Sequence, residues 1–521
     1  MKSRKPILAL VLALALTLTA CGSAGTASSA AASASSAKSN TLVYGSNDYT
    51  RINPALDEHG EINALLFDGL TAHDQDNQVV PRLAKSWELD KATNTYTFHL
   101  QEGVTWHDGE PFTAEDVKFT IEAIQDPNNE SENASNYEDV EKITVVDDHT
   151  VQFQLSAPNY AFLDYMTMAI LPKHLLEGKD LQTDDYFRHP IGTGPYKLQS
   201  WDAGQAITLV RNEDYFRGKA NIETIIFRIV PDSNAKALQL KSGELNLSQV
   251  TPKDAKTFAD AKGQTVYEMK TSDYRGILYN FGNEYWQKNA DLIPAFNYAI
   301  DRQAMIDAVL LGAGEVAYGP LQRNIYNCED VEHYDYDPDK AMKTLEAAGC
   351  TKGEDGFYYR DGQKVGFVIS VGAGDQVRLD MAQIAAQQLK AVGVDVTVDV
   401  PAQVDWGGQD AYLIGWGSPF DADDHTYKVF GTGKGSNYSS YSDKLVDQYL
   451  TEARQTDDTQ KRKEAYAKFQ KELAKNPAYT FFCYIDAFYV ADNHLKGITP
   501  ETVLGHHGVG IFWNVLDWTL E

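Results

Sequence analysis

The first 40 residues restrict the folded part of this chain to the residues that follow them. A basic start precedes an apolar run over residues 7–18 that is too short to span a bilayer, and small residues stand just before Cys21. This order is typical of a secretory signal. Residues 22–40 are almost all Gly, Ser, Ala and Thr, so they predict a flexible linker. The folded body therefore begins near residue 41, outside the cytoplasm.

The end of the signal predicts a lipid anchor. Leu18-Thr19-Ala20-Cys21 resembles the lipobox of bacterial lipoproteins, in which the cysteine sulfur is acylated and becomes the new N-terminus. The resemblance implies a signal peptide over residues 1–20 and a lipidated Cys21 with its linker over residues 21–40. The body would then be held on the outer side of the cell membrane, at the cell surface or in the periplasm. No later segment approaches the roughly 18 apolar residues that a spanning helix needs.

Charge and cysteine content narrow the classes of partner. The formal net charge of −28 repels nucleic acid and anionic lipid at long range. About 480 residues remain after the linker, which is enough for two or three domains. Cys328, Cys350 and Cys483 remain beside the lipidated cysteine, and an odd number cannot all pair. A Cys328–Cys350 disulfide stays open, whereas Cys483 lies in an apolar run typical of a buried strand.

Apolar periodicity predicts an α/β chain. The first part predicts a strand, then a helix, then antiparallel strands that flank a capped helix. The second part alternates strands with helices, which favours a largely parallel sheet. The predicted strands lie at 41–46, 86–100 (two strands around a turn), 144–155 (a hairpin), 204–211, 224–230, 365–371, 394–400 and around Phe481. The predicted helices lie at 62–67, 113–124, 292–311, 341–348, 379–391 and 461–473.

A set of motifs keeps one order along nearly the whole chain. They lie at residues 81–88 (PRLAKSWE), 96–98 (YTF), 103–117 (GVTWHDGEPFTAEDV), 171–174 (LPKH), 192–196 (GTGPY), 211–216 (RNEDYF), 299–302 (AIDR) and 340–349. In this order and spacing the chain resembles the family 5 extracellular solute-binding proteins of ABC importers, which include dipeptide-, oligopeptide- and nickel-binding members.

The resemblance implies a fold and a domain plan. The fold is α/β and similar to type II periplasmic binding proteins, with two lobes and an extra domain inserted in lobe I, the three-domain cluster C architecture. Lobe I is expected at residues 41–285 with the insert at about 86–190, and lobe II at 286–490. Residues 491–521 are expected to return to lobe I.

The resemblance also implies a receptor and no enzyme. Such a protein closes its two lobes around a short peptide and delivers it to a membrane permease powered by a separate ATPase. The chain contains no G-x-S-x-G or H-E-x-x-H motif and no zinc-ribbon cysteine spacing, which argues against an exported hydrolase. No cofactor and no nucleic acid are expected, and the protein is expected to be a monomer.

Candidate ligand-binding residues lie mainly after the strand at 411–414. In peptide-binding relatives an acid in this region pairs with the ligand's α-ammonium, and Asp421 or Asp423 stands at the matching place, with Trp416 as an aromatic wall. Similar proteins carry an arginine at the position of Arg378 that meets the ligand, and a guanidinium suits a carboxylate. A solvated acidic loop and a surface arginine remain the alternatives.

Residues near the mature start complete the predicted cleft. Tyr44, Asn47 and Tyr49 fall where the first strand gives way to a loop, a place from which side chains line binding sites.

Four histidines support a different ligand, nickel or a nickel chelate. His506 and His507 lie between glycines in a predicted loop, and His59 and His425 add two more imidazoles. Some nickel-binding relatives use histidines near this end of the chain. Adjacent residues on a regular strand face opposite ways, so both His506 and His507 reach one metal only if the loop bends. The sequence leaves the peptide and the metal chelate open.

Overall fold

The fold is described from a computed structural model that covers residues 40–57 and 60–521. The signal peptide, Cys21, the linker up to residue 39 and His59 lie outside the described residues. No helix in the described part of the chain is both long and apolar enough to cross a membrane.

The described residues alternate between strands and helices. The strands are β1 (Thr41–Ser46), β2 (Thr71–His73), β3 (Val79–Pro81), β4 (Ala84–Asp90), β5 (Thr95–Leu100), β6 (Val140–Asp147), β7 (Thr150–Leu155), β8 (Tyr196–Asp202), β9 (Ala206–Arg211), β10 (Thr224–Ile229), β11 (Leu247–Val250), β12 (Gln264–Tyr279), β13 (Gly314–Val316), β14 (Thr351–Lys352), β15 (Tyr358–Arg360), β16 (Gln363–Lys364), β17 (Gly366–Ser370), β18 (Asp395–Asp399), β19 (Ala411–Trp416), β20 (Tyr479–Asp492), β21 (Leu495–Lys496) and β22 (Thr519–Leu520). The helices are α1 (Asn63–Leu66), α2 (Ala114–Gln125), α3 (Phe162–Tyr165), α4 (Lys173–Leu176), α5 (Ser233–Ser242), α6 (Pro252–Lys256), α7 (Glu284–Asn289), α8 (Ile293–Tyr298), α9 (Arg302–Val309), α10 (Pro338–Ala347), α11 (Gln376–Ala391), α12 (Tyr427–Phe430), α13 (Lys444–Arg454) and α14 (Thr459–Lys475).

A mixed sheet runs through the whole body. Its strand order is β18-β17-β19-β12-β20-β11-β1-β10-β9-β8, with β13 added on β20. β1 is parallel to β10 and β11, and β17 is parallel to β18 and β19. β12 is antiparallel to both β19 and β20. The prediction of a largely parallel second half is therefore correct for β17, β18 and β19 and wrong for the strands that join them to the rest.

The two largest of the four hydrophobic cores in the described residues lie one in each lobe, and β12 and β20 pass through both. Met269 and Ala487 pack in the first core, whereas Ile277 and Phe482 pack in the second. The change from one core to the other thus falls inside each strand, near residues 271 and 485. An apolar strand that serves two cores shows no break in its sequence pattern. The C-terminal residues up to Trp518 pack in the first core.

The inserted part of lobe I is a separate antiparallel sheet covered by a capped helix. The sheet has the order β4-β5-β7-β6. Helix α2 begins where the sequence predicts it, because Thr113 and Asp116 form a reciprocal capping box. A single helix over 292–311 is wrong, since the chain breaks between α8 and α9. There the Asp301 side chain accepts the Ala304 N–H (3.0 Å) and starts a new helix.

A bulge interrupts the pairing of β12 with β20 at the junction of the lobes. Lys270 pairs with Asp486 and Tyr274 pairs with Tyr484, so three residues of β12 oppose one residue of β20. Bulges bend a strand and redirect its side chains, and they often lie beside binding sites. The C-terminal segment docks here, since Thr271 of the bulge pairs with Leu504.

The structure decides whether Cys328 and Cys350 form a disulfide. Cys328, Cys350 and Cys483 are all unpaired. The Cys328–Cys350 disulfide is therefore not formed, and Cys483 is buried in β20 as predicted.

Candidate functional site

The bulge places a fully buried carboxylate against a buried guanidinium. Asp273 is 0% exposed and forms an ion pair with Arg275, which is 4% exposed. Burial raises the pKa of Asp273, but the charges of Arg275 and His506 outweigh it and hold that pKa well below its ordinary value. Arg275 Nη1 also donates to the Tyr274 carbonyl at 3.2 Å, whereas its Nε has no hydrogen-bond partner among the described residues.

Two adjacent histidines from the C-terminal segment meet this ion pair. His506 Nδ1 lies 2.9 Å from Asp273 Oδ1, and the His507 N–H donates to Asp273 Oδ2 at 2.9 Å. His507 adopts a positive φ of 58°, so the chain bends and the two ring centroids lie 3.9 Å apart. The bend that the sequence analysis required for a shared metal is present.

The side chains of Asp273, His506 and His507 are close enough to bind one ion. One potential ligand atom from each lies within 4.8 Å of the others. His507 is exposed as a residue, but desolvation of its ring and the neighbouring His506 lower its pKa to about 2, so its imidazole is neutral at physiological pH. A neutral imidazole is the form that coordinates a transition metal.

A second arginine adds positive charge beside these groups. Arg378 lies in the first turn of α11, where Asp375 caps the helix and Asp375 Oδ2 lies 3.2 Å from Arg378 Nε. Burial and the nearby Arg275 lower the pKa of Arg378. Asp273, Arg275, Arg378, His506 and His507 together are called the hinge cluster here, because they gather where β12 and β20 cross between the lobes.

Aromatic and glycine residues after β19 hold the hinge cluster in place. The Trp416 ring stacks on His506 with 5.8 Å between ring centroids. A Cβ at Gly415 would lie 2.1 Å from Arg275 Nη1, and a Cβ at Gly417 would lie 1.9 Å from the Ser272 carbonyl oxygen. Glycine at both positions therefore lets the strand approach the bulge closely.

A cavity between the lobes opens onto the hinge cluster. Its volume is about 490 Å³, and residues from the N-terminal strand, the loop before α1 and the bulge line it. Its lining includes Tyr44, Asn47, Tyr49, Glu61, Arg275 and His507. Two neighbouring cavities of about 320 Å³ and 230 Å³ share lining residues with it or with each other, such as Val509 and Phe420. These three cavities are adjacent chambers of the cleft, and a fourth of about 500 Å³ shares Asp48 and Tyr49 with the first.

Asp421 and Asp423 lie elsewhere and have arginine partners. Arg462 contacts both oxygens of Asp421, at 2.6 and 2.7 Å. Arg454 Nη2 lies 2.6 Å from Asp423, which also accepts the Tyr165 hydroxyl from lobe I. Neither acid lines any of the three chambers. The four residues Asp421, Asp423, Arg454 and Arg462 are called the arginine clamp here.

The clamp joins the lobes as well as satisfying its own acids. Arg454, at the end of α13 in lobe II, also reaches Asp139 of lobe I with a distance of 3.1 Å. Side chains that contact both lobes at once favour the conformation in which the lobes are close.

The other predicted residues divide between the cavity and its surroundings. Tyr44, Asn47, Tyr49 and His507 line the same chamber, as described above, whereas Trp416 and Arg378 are not among its lining residues. His425 Nδ1 accepts the Gly417 N–H at 3.0 Å, and the His425 ring lies 5.5 Å from the Trp416 ring.

Sequence reasoning missed three charged residues of the site. Asp273 and Arg275 belong to β12, a strand that was not predicted. The signal available in the sequence was an acid and an arginine inside the otherwise largely apolar run 273–279. Glu61 stands two residues before α1 and carries no motif that marks it.

Comparisons with known proteins agree with this architecture. The sequence model of the family described as bacterial extracellular solute-binding proteins, family 5 (middle), matches residues 78–438. The oligopeptide-binding protein AppA of Bacillus subtilis is 31% identical over 492 residues, covering 89% of this chain and 88% of AppA.

Two solved structures superpose on nearly the whole described body. NikZ from Campylobacter jejuni, in complex with Ni(L-His), is similar with a TM-score of 0.86 and 36% identity, over 92% of this chain and 99% of that one. AppA from B. subtilis, in complex with a nonapeptide, has a TM-score of 0.82 and 28% identity over the same shares.

Proposed function

The chain belongs to the bacterial extracellular solute-binding proteins of family 5, and on that premise we propose that it captures a metal chelate in the cavity beside the hinge cluster. The chelate is a divalent transition metal, nickel in the first place, held by an amino acid such as histidine. The protein then delivers this cargo to an ABC importer, that is, to a permease driven by a separate ATPase. We propose no chemical step on the cargo.

The hinge cluster is the observation that carries the proposal. Two imidazoles and a carboxylate converge within 4.8 Å, and imidazole suits nickel. Arg275 and Arg378 repel a bare cation at the same place, because guanidinium stays charged at all ordinary pH values. A chelate with a carboxylate resolves this conflict: its metal takes an imidazole and its carboxylate takes a guanidinium. The 36% identical NikZ, with its Ni(L-His) complex, supports the same cargo.

A short peptide is the second candidate, and the adjacent chambers favour it. They add space beyond the cavity beside the hinge cluster, and the similar AppA is in complex with a nonapeptide. Pairing of a peptide ammonium with Asp421 or Asp423, as the sequence analysis expects, requires that Arg462 or Arg454 give up its carboxylate. A buried guanidinium left without its acid costs several kcal/mol.

The proposal includes the cellular location. We propose that Cys21 is acylated and holds a monomeric receptor on the outer face of the cell membrane. Cys21→Ala is expected to release the protein from the membrane fraction and to abolish labelling by radioactive palmitate. Continued labelling of the variant would contradict lipidation at this residue.

Isothermal titration calorimetry tests the cargo. Purified protein is titrated with NiCl2 alone, with L-histidine alone, with both together, and with di-, tri- and nonapeptides. Binding that needs nickel and histidine together supports the chelate. Tight peptide binding with no response to the chelate would establish the second candidate instead.

A matched pair of histidine variants tests the site. His507→Asn removes the imidazole but keeps a residue that tolerates positive φ. We expect the chelate affinity to fall on the order of 100-fold, equal to about 2.7 kcal/mol. His494→Asn, an exposed histidine whose side chain is 63% accessible and outside the cavity, is the control and leaves the affinity unchanged. Equal affinities for both variants would remove His507 from the site.

A further inference from the structure

The cavity beside the hinge cluster contains an acid that none of the assigned roles uses. Glu61 lines this cavity and is only 8% exposed. Its Oε1 accepts the Gly510 N–H at 3.1 Å and the Tyr489 hydroxyl at 3.1 Å. Its Oε2 has no hydrogen-bond partner in the described part of the chain. Burial raises the pKa of Glu61 to about 7, and one oxygen of this carboxyl group is unsatisfied at the wall of the binding cavity.

The partners of Glu61 place it close to His507. Gly510 follows His507 by three residues, and the Tyr489 hydroxyl oxygen also lies 2.9 Å from the Gly508 carbonyl oxygen. The acid and the histidine therefore contact the same short segment, 506–510, and line the same cavity.

The cavity carries separated charges of both signs. Arg275 and Lys236 line it together with Glu61. Arg275 pairs with Asp273, and Lys236 Nζ contacts Asn47 Oδ1 at 3.3 Å, so each has a partner other than Glu61. Among the described residues no lysine, arginine or histidine forms an ion pair with Glu61. The cavity lacks a cationic donor at that point.

We propose that Glu61 accepts hydrogen bonds from the amine of the bound ligand and so selects cargo of the amino-acid class. This assignment rests on the proposed function, and it names the chemistry that the cargo presents to the lobe I side of the cavity. Arg275 takes the carboxylate end, and Glu61 takes the amine end. The amine is a free ammonium or an amine bound to the metal, whose N–H groups are polarised by the positive ion.

The energetics of burial explain the selectivity. A buried carboxylate with an unfilled acceptor is costly unless a donor reaches it, and a positively polarised donor repays this most fully. A ligand with a carboxylate but no N–H group satisfies Arg275 and leaves Glu61 Oε2 without a donor. The cavity therefore binds such a ligand more weakly than a ligand that also carries an amine N–H.

The test is a double-mutant cycle between Glu61 and the ligand amine. The probes are NiCl2 with L-histidine and NiCl2 with Nα,Nα-dimethyl-L-histidine, whose tertiary amine still coordinates nickel but has no N–H to donate. Each is titrated into the wild-type chain and into Glu61→Gln, which keeps the shape and an oxygen acceptor for Gly510 and Tyr489. Glu268→Gln, the same substitution at an exposed position of β12, is the control.

We expect Glu61→Gln to weaken the L-histidine chelate by about 10-fold or more, in the range of a hydrogen bond to a charged group. The wild-type chain is expected to prefer L-histidine over the dimethylated form by a similar factor, and the variant by less than about threefold. The melting temperature of the ligand-free variant is expected to stay at or above that of the wild type, because the unfilled carboxylate is gone.

Other outcomes overturn the proposal in distinguishable ways. If the wild type binds the chelate and Glu61→Gln binds it equally well, or loses both probes by the same factor, Glu61 is structural. If the wild type binds peptides and no chelate, the cycle is run with a free and an N-acetylated tripeptide, and the same criteria apply. If the wild type binds neither, the proposed function fails, and the role of Glu61 fails with it.

Discussion

The arginine clamp and the hinge cluster are built from the same kinds of side chain but are satisfied to different degrees. In the clamp, each acid receives two or more N–H or O–H donors. Every nitrogen of the two guanidinium groups has an acceptor, which is an acid in each case except Arg462 Nε, which donates to the Ala453 carbonyl. In the hinge cluster, Arg275 Nε has no partner in the described structure, and the same cavity holds the unfilled Oε2 of Glu61. Satisfied charges hold protein to protein, whereas unsatisfied charges beside a cavity are available to a ligand.

The largest expected effect comes from breaking the clamp. Arg454→Met leaves Asp423, which is 0% exposed, without its cation, and this costs about 3–5 kcal/mol of unfolding free energy. Urea denaturation followed by circular dichroism measures the loss. Lys91→Met removes a cation from an exposed pair with Asp457 and is the matched control, with an expected loss far smaller than that of Arg454→Met. Similar losses in the two variants would mean that the clamp is no more than a surface ion pair.

The pH dependence of stability gives a second test, on a histidine whose two ring nitrogens both have hydrogen-bond partners. His107 Nδ1 accepts the Gly192 N–H at 3.1 Å, and its Nε2 lies 3.0 Å from the Gly194 carbonyl, which it reaches as a neutral ring. Burial lowers the pKa of His107 from 6.5 to about 4.

Because the pKa of His107 is lowered in the folded state, its contribution to the free energy of unfolding is complete above pH 6.5. That contribution is lost as the pH falls through 4. We expect a loss of up to about 3 kcal/mol over that range. Unfolding free energies measured at pH 7, 5.5 and 4 test this, and His107→Gln is expected to flatten the difference relative to the wild type. An unchanged slope in the variant would show that other groups control acid stability.

The smallest expected effect perturbs the hinge cluster alone. Gly415→Ala puts a Cβ 2.1 Å from Arg275 Nη1, so the guanidinium must shift. We expect the chelate affinity to fall about 10-fold, equal to about 1.4 kcal/mol, by calorimetry. Gly263→Ala, where a Cβ meets nothing within 4 Å, is the control and leaves the affinity unchanged. No change in either variant would place Arg275 outside the binding site.

Local elements were largely predictable, and the long central strand was not. β1, α2, β17 and α11 carry clear periodicity and caps, and the structure confirms them near the predicted bounds. β12 combines exposed residues, a bulge and charged residues within 16 positions, so it has no uniform period. Its pairing with β20 also joins residues about 200 positions apart, which no local pattern encodes.

The candidate site was predictable only in part for the same reason. The histidine pair at 506–507 was visible, but its bend depends on a positive φ and on hydrogen bonds to Asp273, which lies 233 residues earlier. Asp421 and Asp423 appeared as available acids, because their arginine partners are distant in sequence. Arg454 on α13 follows Asp423 by 31 residues, and Arg462 on α14 follows Asp421 by 41 residues. Sequence indicates which residues carry charge, and only the tertiary structure shows which of them are already neutralised.

The bulge in β12 lies beside the proposed binding cavity, where the two lobes meet. A small rotation of one lobe about the two connecting strands moves the distant rims much farther than it moves the cargo itself. The clamp also links the lobes, through Arg454 and Asp139, and the proposed binding cavity lies beside the two connecting strands. An importer that touches both rims would thereby sense occupancy as a change in their spacing, without contacting the cargo at all.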